Sequence, residues 1–475
     1  MKRSPLVVLL ALSLSLGSGC GGGTTGTTIT SPPPTATHFS VSGPANSPSA
    51  TPFNFTVTAL DASNHTVTSY SGTVHFTSTD PHAQLPPDST LGSGTQTLPA
   101  ELTTAGNQTI TAADKATSSI KGNSNSINVG ALVGAFPVEW FGAKGDGATD
   151  DTVAIQNAIN TAAGAGGGSV VLRVARYFTS GTLHVPANVV LCGAIQGPFD
   201  VAGINPAVTT VAPTLLVTNT SSPFITLQAP GTGVTDLLFH YPNQVKTSAS
   251  APIVYPYTIE LSAGAAVKVM RSTVTNAYNF LDIQLGRPMV QDLYIGAFNI
   301  GVHIDNDEDF TTLHNLHNGV LWDEVEGASY PTAIDNWVLN NGTALVVGRM
   351  DALDVNDFFV FSRFTGILLT DSSDTSLNPR SGWGRGSNID LENVQFGIIA
   401  NSSTAYGFGY QFTNVVFEAA PGLGQAAVQL QAGGSNPPDV LIDGGSVQGT
   451  WALGAFPAPQ AGYLTHVRVV GSDLP

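Results

Sequence analysis

Apolar and polar residues alternate along much of this chain, in short runs that are separated by turn-forming residues. Within residues 38–129, the segments 53–61, 72–80 and 107–114 place an apolar residue at every second position. Strands that are buried on one face show this pattern. Short strands at this spacing predict an antiparallel β-sandwich over residues 38–129.

A different pattern begins near residue 136. Residues 141–151 (FGAKGDGATDD) lead into an amphipathic helix, which is followed by a glycine run and by the apolar strand 169–172. Thr149 is predicted to be the N-cap of the helix, with Asp150 and Asp151 in its first turn. A helix in this place is expected to close the open end of a repeat structure.

The residues that follow form an imperfect repeat. Residues 289–305 align with 354–370 at an offset of 65, and residues 268–283 precede the first of these by 21. Residues 391–396 and 412–417 are also aligned at an offset of 21. A coil of this length predicts a parallel β-helix, in which all coils share one core.

The repeat also aligns one polar position in successive coils. Its members are Arg271, Asp292, Asn315, Asn336, Asp357, Asn393 and Asn414. Neighbouring strands lie about 4.8 Å apart, so these side chains are expected to stack as a ladder at one turn. We interpret the ladder as structural and predict that Arg271 pairs with Asp292.

The strand, glycine turn, helix and strand of residues 138–172 resemble the N-terminal cap of the pectate lyase-like superfamily, in particular its rhamnogalacturonase- and epimerase-like branch. Asparagine ladders are a feature of the same superfamily. The resemblance implies an all-β chain with a right-handed parallel β-helix over residues 136–475 and an N-terminal capping helix. Residues 38–129 resemble bacterial immunoglobulin-like domains, which implies a spacer or, alternatively, a glycan- or protein-binding module.

The first 20 residues have the order of a targeting segment. Lys2 and Arg3 precede an apolar run that is too short to span a bilayer. Cys20 follows in a sequence that resembles the lipobox of a bacterial lipoprotein. Lipidation at Cys20 in the cell envelope is therefore predicted, with plain secretion to the extracellular space as the alternative. Residues 21–37 are predicted to be a flexible tether, and Cys192 a small core residue.

The composition and net charge of the chain limit the classes of molecule that it is expected to bind. Charged residues make up 10% of the chain, and the formal net charge is −17. This charge argues against nucleic acid, and it leaves a lipid anchor as the only predicted contact with a membrane. It also disfavours long-range attraction of an acidic polysaccharide, which a cation or a local basic cleft would have to overcome. A homotrimer, which some members of the superfamily form, is left open.

Four inserts interrupt the repeat, at residues 305–311, 322–332, 371–387 and 401–407. They are predicted to stack on one side and to wall a groove, since loops on a rigid scaffold commonly carry function. The candidate catalytic carboxylates in them are Asp305, Glu308, Asp323 and Asp371. The candidate substrate-binding residues are Trp322, Tyr330, Trp383, Arg380 and Arg385. Carboxylates and aromatic rings along a groove suit a polysaccharide.

The chemistry is less determined than the scaffold. A glycosidase needs two carboxyl groups about 5–9.5 Å apart, whereas a lyase would need a base such as Arg380 or Arg385, assisted by Ca²⁺. The catalytic motifs of the superfamily's polygalacturonases and pectate lyases are absent, so no active-site residue carries over. Residues 305–309 (DNDED) leave a loose calcium site open, and no other cofactor is indicated. We expect an enzyme that cleaves a polysaccharide, by hydrolysis rather than elimination; the alternative is a non-catalytic glycan-binding or adhesin-type β-helix.

Overall fold

A computed structural model describes residues 34–47, 52–130, 134–244, 251–262, 266–319, 333–374, 382–401, 409–423, 426–430, 440–448 and 467–470. The predicted signal segment with Cys20, and almost all of the predicted tether, lie outside these residues. Among the described residues, no helix is long and apolar enough to cross a membrane.

The N-terminal unit is a β-sandwich of short, mainly antiparallel strands. Its strands are β1 (His38–Ser42), β2 (Asn46–Ser47), β3 (Phe53–Leu60), β4 (Thr73–Ser78), β5 (Ser89–Thr90), β6 (Thr95–Ala100), β7 (Gly106–Gln108), β8 (Ile110–Asp114), β9 (Lys121–Asn123) and β10 (Ile127–Val129). They form three sheets, with the strand orders β1-β3-β6, β5-β4-β8-β9 and β2-β10-β7. The alternation in β3 buries Phe55, Val57 and Ala59 as the pattern predicts. The immunoglobulin-like assignment stays a prediction.

From residue 135 onward the chain winds into a parallel β-helix. Its first strands are short: β11 (Ala135–Pro137), β12 (Asp146–Asp150), β13 (Gly168–Leu172), β14 (Ala175–Thr179), β15 (Leu183–Val185), β16 (Val189–Gly193), β17 (Pro213–Val217), β18 (Ile225–Leu227), β19 (Gly233–Thr235), β20 (Leu238–His240) and β21 (Tyr257–Leu261). Later strands run through bends: β22 (Lys268–Ile283), β23 (Met289–Ile304), β24 (Asp307–Asn318), β25 (Thr343–Val347), β26 (Met350–Leu369), β27 (Gly384–Ala400), β28 (Tyr410–Ala419), β29 (Ala426–Leu430), β30 (Val440–Gln448) and β31 (Val467–Val470).

Each coil contributes to three parallel sheets, which we call A, B and C. Sheet A begins with β11, β13, β16 and β19, sheet B with β12, β14, β17 and β20, and sheet C with β15, β18 and β21. In β22, residues 268–270 extend sheet A, residues 273–275 sheet B and residues 279–283 sheet C. The coils therefore pass from A to B to C before the next coil begins, which confirms the predicted parallel β-helix.

The helix α1 (Thr152–Gly164) covers the first coil. It buries Ile155, Ala158, Ile159 and Ala162 against the same apolar core that runs through the coils. A 3₁₀ turn (Val138–Phe141) precedes it, and a second helix, α2 (Ala333–Asn341), lies between β24 and β25. The predicted capping helix is confirmed.

The start of α1 differs from the prediction. Asp151, not Thr149, occupies the N-cap position, and its side chain makes no capping bond. The carboxylate of Asp151 instead accepts hydrogen bonds from the backbone N–H groups of Lys144 and Gly145, at 2.6 and 3.1 Å. The predicted N-cap is wrong because the turn at Lys144 and Gly145 lies against the start of the helix. Its backbone N–H groups bind the Asp151 carboxylate, which therefore does not cap the helix.

The repeat lengths are partly as predicted. Met289 pairs with Thr312, and Thr312 with Asp354, which confirms the offset of 65. Lys268 pairs with Met289, which confirms the offset of 21. Leu391, however, pairs with Phe417 at an offset of 26, because the coil between them carries the longer connection through residues 401–409.

A ladder of left-handed residues forms the bend between sheets A and B. Its members are Asp236, Arg271, Asp292, Asn315, Asp357, Asn388 and Asn414, with φ between 46° and 62°. Asn and Asp tolerate this conformation better than other residues with a Cβ atom. The side chains bond from coil to coil: Asn315 Nδ2 donates to Asp292 Oδ1 at 2.7 Å, and Asn388 Nδ2 donates to Asp357 Oδ1 at 2.9 Å. The predicted ladder exists, with altered membership.

Three assignments in the predicted ladder are wrong. Arg271 does not pair with Asp292; it makes two hydrogen bonds to the Asp236 carboxylate, at 2.7 and 2.8 Å. Asn336 lies in α2, and Asn393 lies at the next bend, where it donates to the Ser362 hydroxyl. Ungapped alignment could not detect Asp236 because the coil that contains it has a different length.

The core assignment of Cys192 is also wrong. Its neighbours Val189 and Leu191 are fully buried in the core, whereas Cys192 lies on the outer side of sheet A, where it lines a cavity. The alternation of side chains along β16 decides this, since adjacent residues of a strand face opposite sides.

The ladder predicts a measurable contribution to stability. Asn388→Ala should lower the free energy of unfolding by about 1–2 kcal/mol, because it removes the bond to Asp357 and places a methyl group in the left-handed region. Asn388→Gly loses the same bond without the backbone strain, so it should be less destabilising. Urea denaturation of the two variants and the wild type measures this difference; equal stability of all three would show that the ladder carries no such energy.

Candidate functional site

The inserts do not all leave the coil at one place. Residues 305–306, 370–383 and 401–409 connect sheet C to sheet A of the next coil. Residues 322–332 lie instead in the connection from sheet B to sheet C, between β24 and α2, and outside the described residues. The predicted wall of four stacked inserts is therefore wrong, since one insert belongs to a different corner of the helix.

The structure separates the predicted site residues. Trp322, Asp323, Tyr330 and Arg380 lie outside the described residues. Glu308 lies in β24 rather than in a loop. Asp305 and Asp371 both lie in turns between sheets C and A, so these two are brought to the same stack of turns. Trp383 lies immediately before β27. Arg385 lies in β27, in sheet A, and forms an ion pair of 3.2 Å with Asp354.

Asp305 ties the stacked turns together. The carboxylate is fully buried. One oxygen accepts the backbone N–H groups of Asn306 and Arg349, at 2.9 and 3.0 Å. The other accepts the N–H and the hydroxyl of Ser373, at 2.8 and 2.7 Å. Both oxygens are thus engaged by three successive turns, an arrangement that positions loops rather than reacting with a substrate.

A second set of polar residues lies on the outer side of sheet C, in the middle of the helix. The strand register places Glu260 of β21 beside Asp282 of β22, and Asp282 beside His303 of β23. Their neighbours along each strand, such as Ile259 and Ile304, point into the core. The three side chains therefore form a row across adjacent coils, and we call this row the sheet C cluster.

Hydrogen bonds hold the sheet C cluster in place. His303 Nδ1 lies 2.8 Å from Asp282 Oδ1, and Gln284 Nε2 donates to the same oxygen at 2.7 Å. The ring of Tyr257 stacks on the imidazole of His303, with 6.1 Å between ring centroids and 17° between planes. Only 12% of the Asp282 side chain and 17% of the His303 side chain are exposed. Asp282 therefore holds the imidazole of His303 at its Nδ1 edge, and the ring of Tyr257 packs on one of its faces.

Burial and a neighbouring negative charge raise the pKa values of two groups in and beside the cluster. Burial raises the pKa of Glu260, and the nearby Asp282 carboxylate raises it further. Burial also raises the pKa of Tyr257, and Asp282 adds to this effect. A carboxyl group whose pKa is raised, next to a carboxylate–histidine pair, is a candidate general acid beside a general base.

The sequence contained a signal for this cluster that pattern analysis did not use. Glu260, Asp282 and His303 are 22 and 21 residues apart, which is the coil spacing. They lie inside strands, so the acidic and aromatic inserts give no sign of them. The regular spacing of outward positions in sheet C is the sequence signal that marks them.

A metal site is not evident in the part of the chain that the structure describes. No three or more His, Cys, Asp or Glu side chains converge there in an arrangement that could hold an ion. The predicted loose calcium site at residues 305–309 includes Glu308 and Asp309, whose side chains lie outside the description. The calcium site stays a prediction.

The three parallel sheets, the capping helix and the ladder together define a parallel β-helix with an N-terminal cap. Residues 135–214 match the family model described as Rhamnogalacturonase A/epimerase, pectate lyase-like. This match covers the capping helix and the first coils of the β-helix.

Curated relatives match a short part of the chain. Mannuronan C5-epimerase AlgE3 of Azotobacter vinelandii is 48% identical over 69 residues, which cover 13% of this chain and 4% of that protein. Alginate lyase 7 of the same organism is 48% identical over 69 residues, which cover 13% and 8% of the two chains. The matched stretch thus spans less than a tenth of the length of either relative.

Solved structures match a larger part at low identity. The endo-xylogalacturonan hydrolase from Aspergillus tubingensis is 10% identical, with 72% of this chain and 92% of that chain covered and a TM-score of 0.44. The mannuronan C-5 epimerase AlgE4 A-module of Azotobacter vinelandii is 14% identical, with 71% and 95% covered and a TM-score of 0.38.

The bonds of Asp305 predict a stability that depends on pH. Burial raises the pKa of Asp305, but hydrogen bonds from Ser373 and Arg349 outweigh it and leave the pKa below its ordinary value. The carboxylate therefore stabilises the fold above the pKa of an unfolded aspartate, about 4, and this stabilisation is lost as the pH falls through the lower folded-state pKa.

Asp305→Asn should lower the free energy of unfolding at pH 7 by about 2–4 kcal/mol, since an amide cannot accept from donors on both sides. The loss should shrink below pH 4. Urea denaturation between pH 3 and 7 measures both effects, with the exposed Asp351→Asn as control. A loss that is independent of pH would contradict the role of the ionised carboxylate.

Proposed function

We propose that this protein is an enzyme that cleaves a polysaccharide, with its active site at the sheet C cluster. The observation that carries the proposal is the row Glu260, Asp282 and His303, in which a carboxyl group with a raised pKa lies one coil from a carboxylate that orients an imidazole. The named activities of the curated relatives, a mannuronan C5-epimerase and an alginate lyase, support a carbohydrate as substrate. The fold alone would not.

Glycoside hydrolysis is the reaction that we favour. Glu260 would protonate the leaving oxygen, since burial and the neighbouring Asp282 raise its pKa and so favour the protonated form. Asp282 would act as the nucleophile and form a covalent glycosyl-enzyme intermediate, which water would then hydrolyse with Glu260 as the general base. Strands of adjacent coils lie about 4.8 Å apart, which suits the separation of about 5–5.5 Å in retaining glycosidases. Loops at both corners of sheet C would bound the sugar chain.

Elimination is the second candidate, and one observation favours it. The contact between Asp282 and His303 Nδ1 fixes the imidazole so that Nε2 becomes the proton acceptor. A histidine base could remove the proton next to a uronate carboxylate, and Tyr257 or Glu260 would return a proton to the leaving oxygen. A bound Ca²⁺ would supply neutralisation of the substrate carboxylate in this reaction.

The first 37 residues are the basis for a proposal about the cellular location of the protein. We propose a location in the cell envelope or outside the cell, reached through the signal segment and, where Cys20 is lipidated, through a lipid anchor. The sandwich would then hold the β-helix away from the membrane. A non-catalytic adhesin with the same fold would bind glycan without turnover, and a homotrimer remains compatible with either role.

The catalytic proposal predicts loss of turnover on single substitution. Glu260→Gln, Asp282→Asn and His303→Gln should each lower kcat/KM at least about 100-fold on the substrate that the wild type cleaves, because each removes a proton-transfer or positioning group. Reducing ends and absorbance of unsaturated products, assayed over a panel of polysaccharides with and without Ca²⁺, distinguish hydrolysis from elimination.

Asp371→Asn serves as the comparison, since Asp371 was an independent candidate on the turns beside sheet C. Retained turnover in all three cluster variants, with loss in Asp371→Asn, would move the active site to those turns. Glycan binding without turnover in the wild type, over the whole panel, would instead support the adhesin.

The general acid also predicts a pH profile. If Glu260 acts as the acid, activity should fall as the pH rises through its raised pKa, because the deprotonated form cannot donate. In Glu260→Gln the residual activity should lack this alkaline limb. Measurement of kcat/KM between pH 4 and 9 for both proteins tests the assignment, and an unchanged limb in the variant would assign it to another group.

A further inference from the structure

A polar cavity of about 370 Å³ lies on the outer side of sheet A, in the later coils of the β-helix. Sheet A continues there through residues 354–356 of β26, 385–387 of β27 and 411–413 of β28. Val355 and Phe412 belong to the core, so the residues on either side of them along the strands face outward. The sheet C cluster lies on a different sheet, so the cavity and the cluster are separate places.

The cavity is lined by one glycine and by six residues whose side chains all carry hydrogen-bonding groups. These six are Asp354 and Asn356 of β26, Arg385 and Ser387 of β27, and Gln411 and Thr413 of β28. Strand pairing arranges them in two rows of three. Since neighbouring strands lie about 4.8 Å apart, each row spans about 10 Å.

A chain of hydrogen bonds orients the side chains of the cavity. Ser387 Oγ donates to Asn356 Oδ1 at 2.7 Å, and Asn356 Nδ2 donates to Asp354 Oδ1 at 2.9 Å. Arg385 Nη2 donates to the other oxygen of Asp354 at 3.2 Å. Because these groups are already held by one another, a ligand would not have to order them, which lowers the cost of binding.

The same groups retain capacity for further hydrogen bonds. An asparagine amide has two N–H donors and a guanidinium has five, whereas the chain of bonds uses one from Asn356 and one from Arg385. The Arg385 side chain is 67% exposed, so its other donors are accessible. Gln411, which is also exposed, adds an amide donor and a carbonyl acceptor. Donors and acceptors therefore lie side by side in the cavity.

The electrical charge of the cavity is balanced. Asp354 and Arg385 are the charged residues among those that line it, and they compensate each other. A carboxylated ligand would need a positive charge in excess, and a metal ion would need a negative one. A neutral ligand with many hydroxyl groups needs neither, because a hydroxyl both donates and accepts.

We propose that this cavity binds a short segment of a neutral saccharide. Arg385 and Asn356 would donate hydrogen bonds to sugar oxygens, while Asp354 and Ser387 would accept them from sugar hydroxyls. The volume lies at the lower end of the range for small-molecule sites, about 300–1,000 Å³. The inference does not rest on the proposed active site, because a protein without catalytic activity could use the same cavity.

Binding of three neutral probes, namely galactotriose, xylotriose and mannotriose, tests the proposal by saturation-transfer NMR on the full chain. At least one of them should bind, and Asn356→Ala and Gln411→Ala should each raise its Kd about three- to tenfold, as expected for loss of one hydrogen-bonding group. Gln291→Ala is the matched control and should leave Kd unchanged, since Gln291 has the same register as Asn356 two coils earlier, outside the cavity. Thermal unfolding verifies that each variant is folded.

The balance of charge gives a second readout. Binding of the neutral probe should not change as salt rises from about 50 to about 500 mM, because no net charge is paired on binding. Asp354→Asn should raise the Kd of the neutral probe at least about threefold. The same variant leaves Arg385 without its compensating carboxylate, so it should bind trigalacturonate at least about threefold more tightly than the wild type does at low salt.

Several results would overturn the proposal. They are no binding of any neutral probe, a Kd that ignores both Asn356→Ala and Gln411→Ala, or a wild-type cavity that prefers trigalacturonate. Loss of binding in Asp282→Asn alone would place the saccharide at the sheet C cluster and would equally reject this site. If turnover fails in every assay while Asn356→Ala still weakens binding, the active-site proposal falls and this one stands.

Discussion

The structure depends on the regular stacking of one coil on the next, and the left-handed bend between sheets A and B enforces that register. Each ladder residue adopts a backbone conformation that most L-amino acids avoid. Hydrogen bonds between the side chains of successive coils offset part of this strain. One of them runs from Asn414 Nδ2 to Asn388 Oδ1, at 2.9 Å. Because the bend recurs, apolar residues of all coils fall into one continuous core.

The regular stacking of coils also brings the polar side chains of the sheet C cluster into one row. Strand pairing alone brings Glu260, Asp282 and His303 together, although they come from three coils. No loop has to fold around them for their spacing to be fixed. The turns at the corner are positioned separately, with the buried Asp305 carboxylate holding residues 306, 349 and 373 together. Scaffold and loops are thus stabilised by different interactions.

Charge is distributed unevenly over this scaffold. The chain is acidic as a whole, yet a cavity on the outer side of sheet A is lined by Lys268, Arg271 and Arg287 together with Asp236. The sheet C cluster instead combines two carboxyl groups and an imidazole. Two sheets of one β-helix therefore present chemically different surfaces.

The sequence by itself determined the class of fold, the capping helix and the existence of a ladder, because these depend on local periodicity and on turn-forming residues. It also determined the offsets of 21 and 65. It did not determine ladder membership, since coils of unequal length hide Asp236 and misplace Asn336 and Asn393. Register between coils of different length is a tertiary property.

The candidate site shows the same division. Acidic and aromatic residues in the inserts were visible in the sequence, but only the structure showed that both oxygens of Asp305 are engaged by stacked turns and that Arg385 lies in a strand of sheet A. Likewise, Cys192 follows an apolar run, and only the direction of its side chain placed it in a cavity. Sequence fixes which chemical groups are present, whereas strand pairing and side-chain direction decide which of them meet.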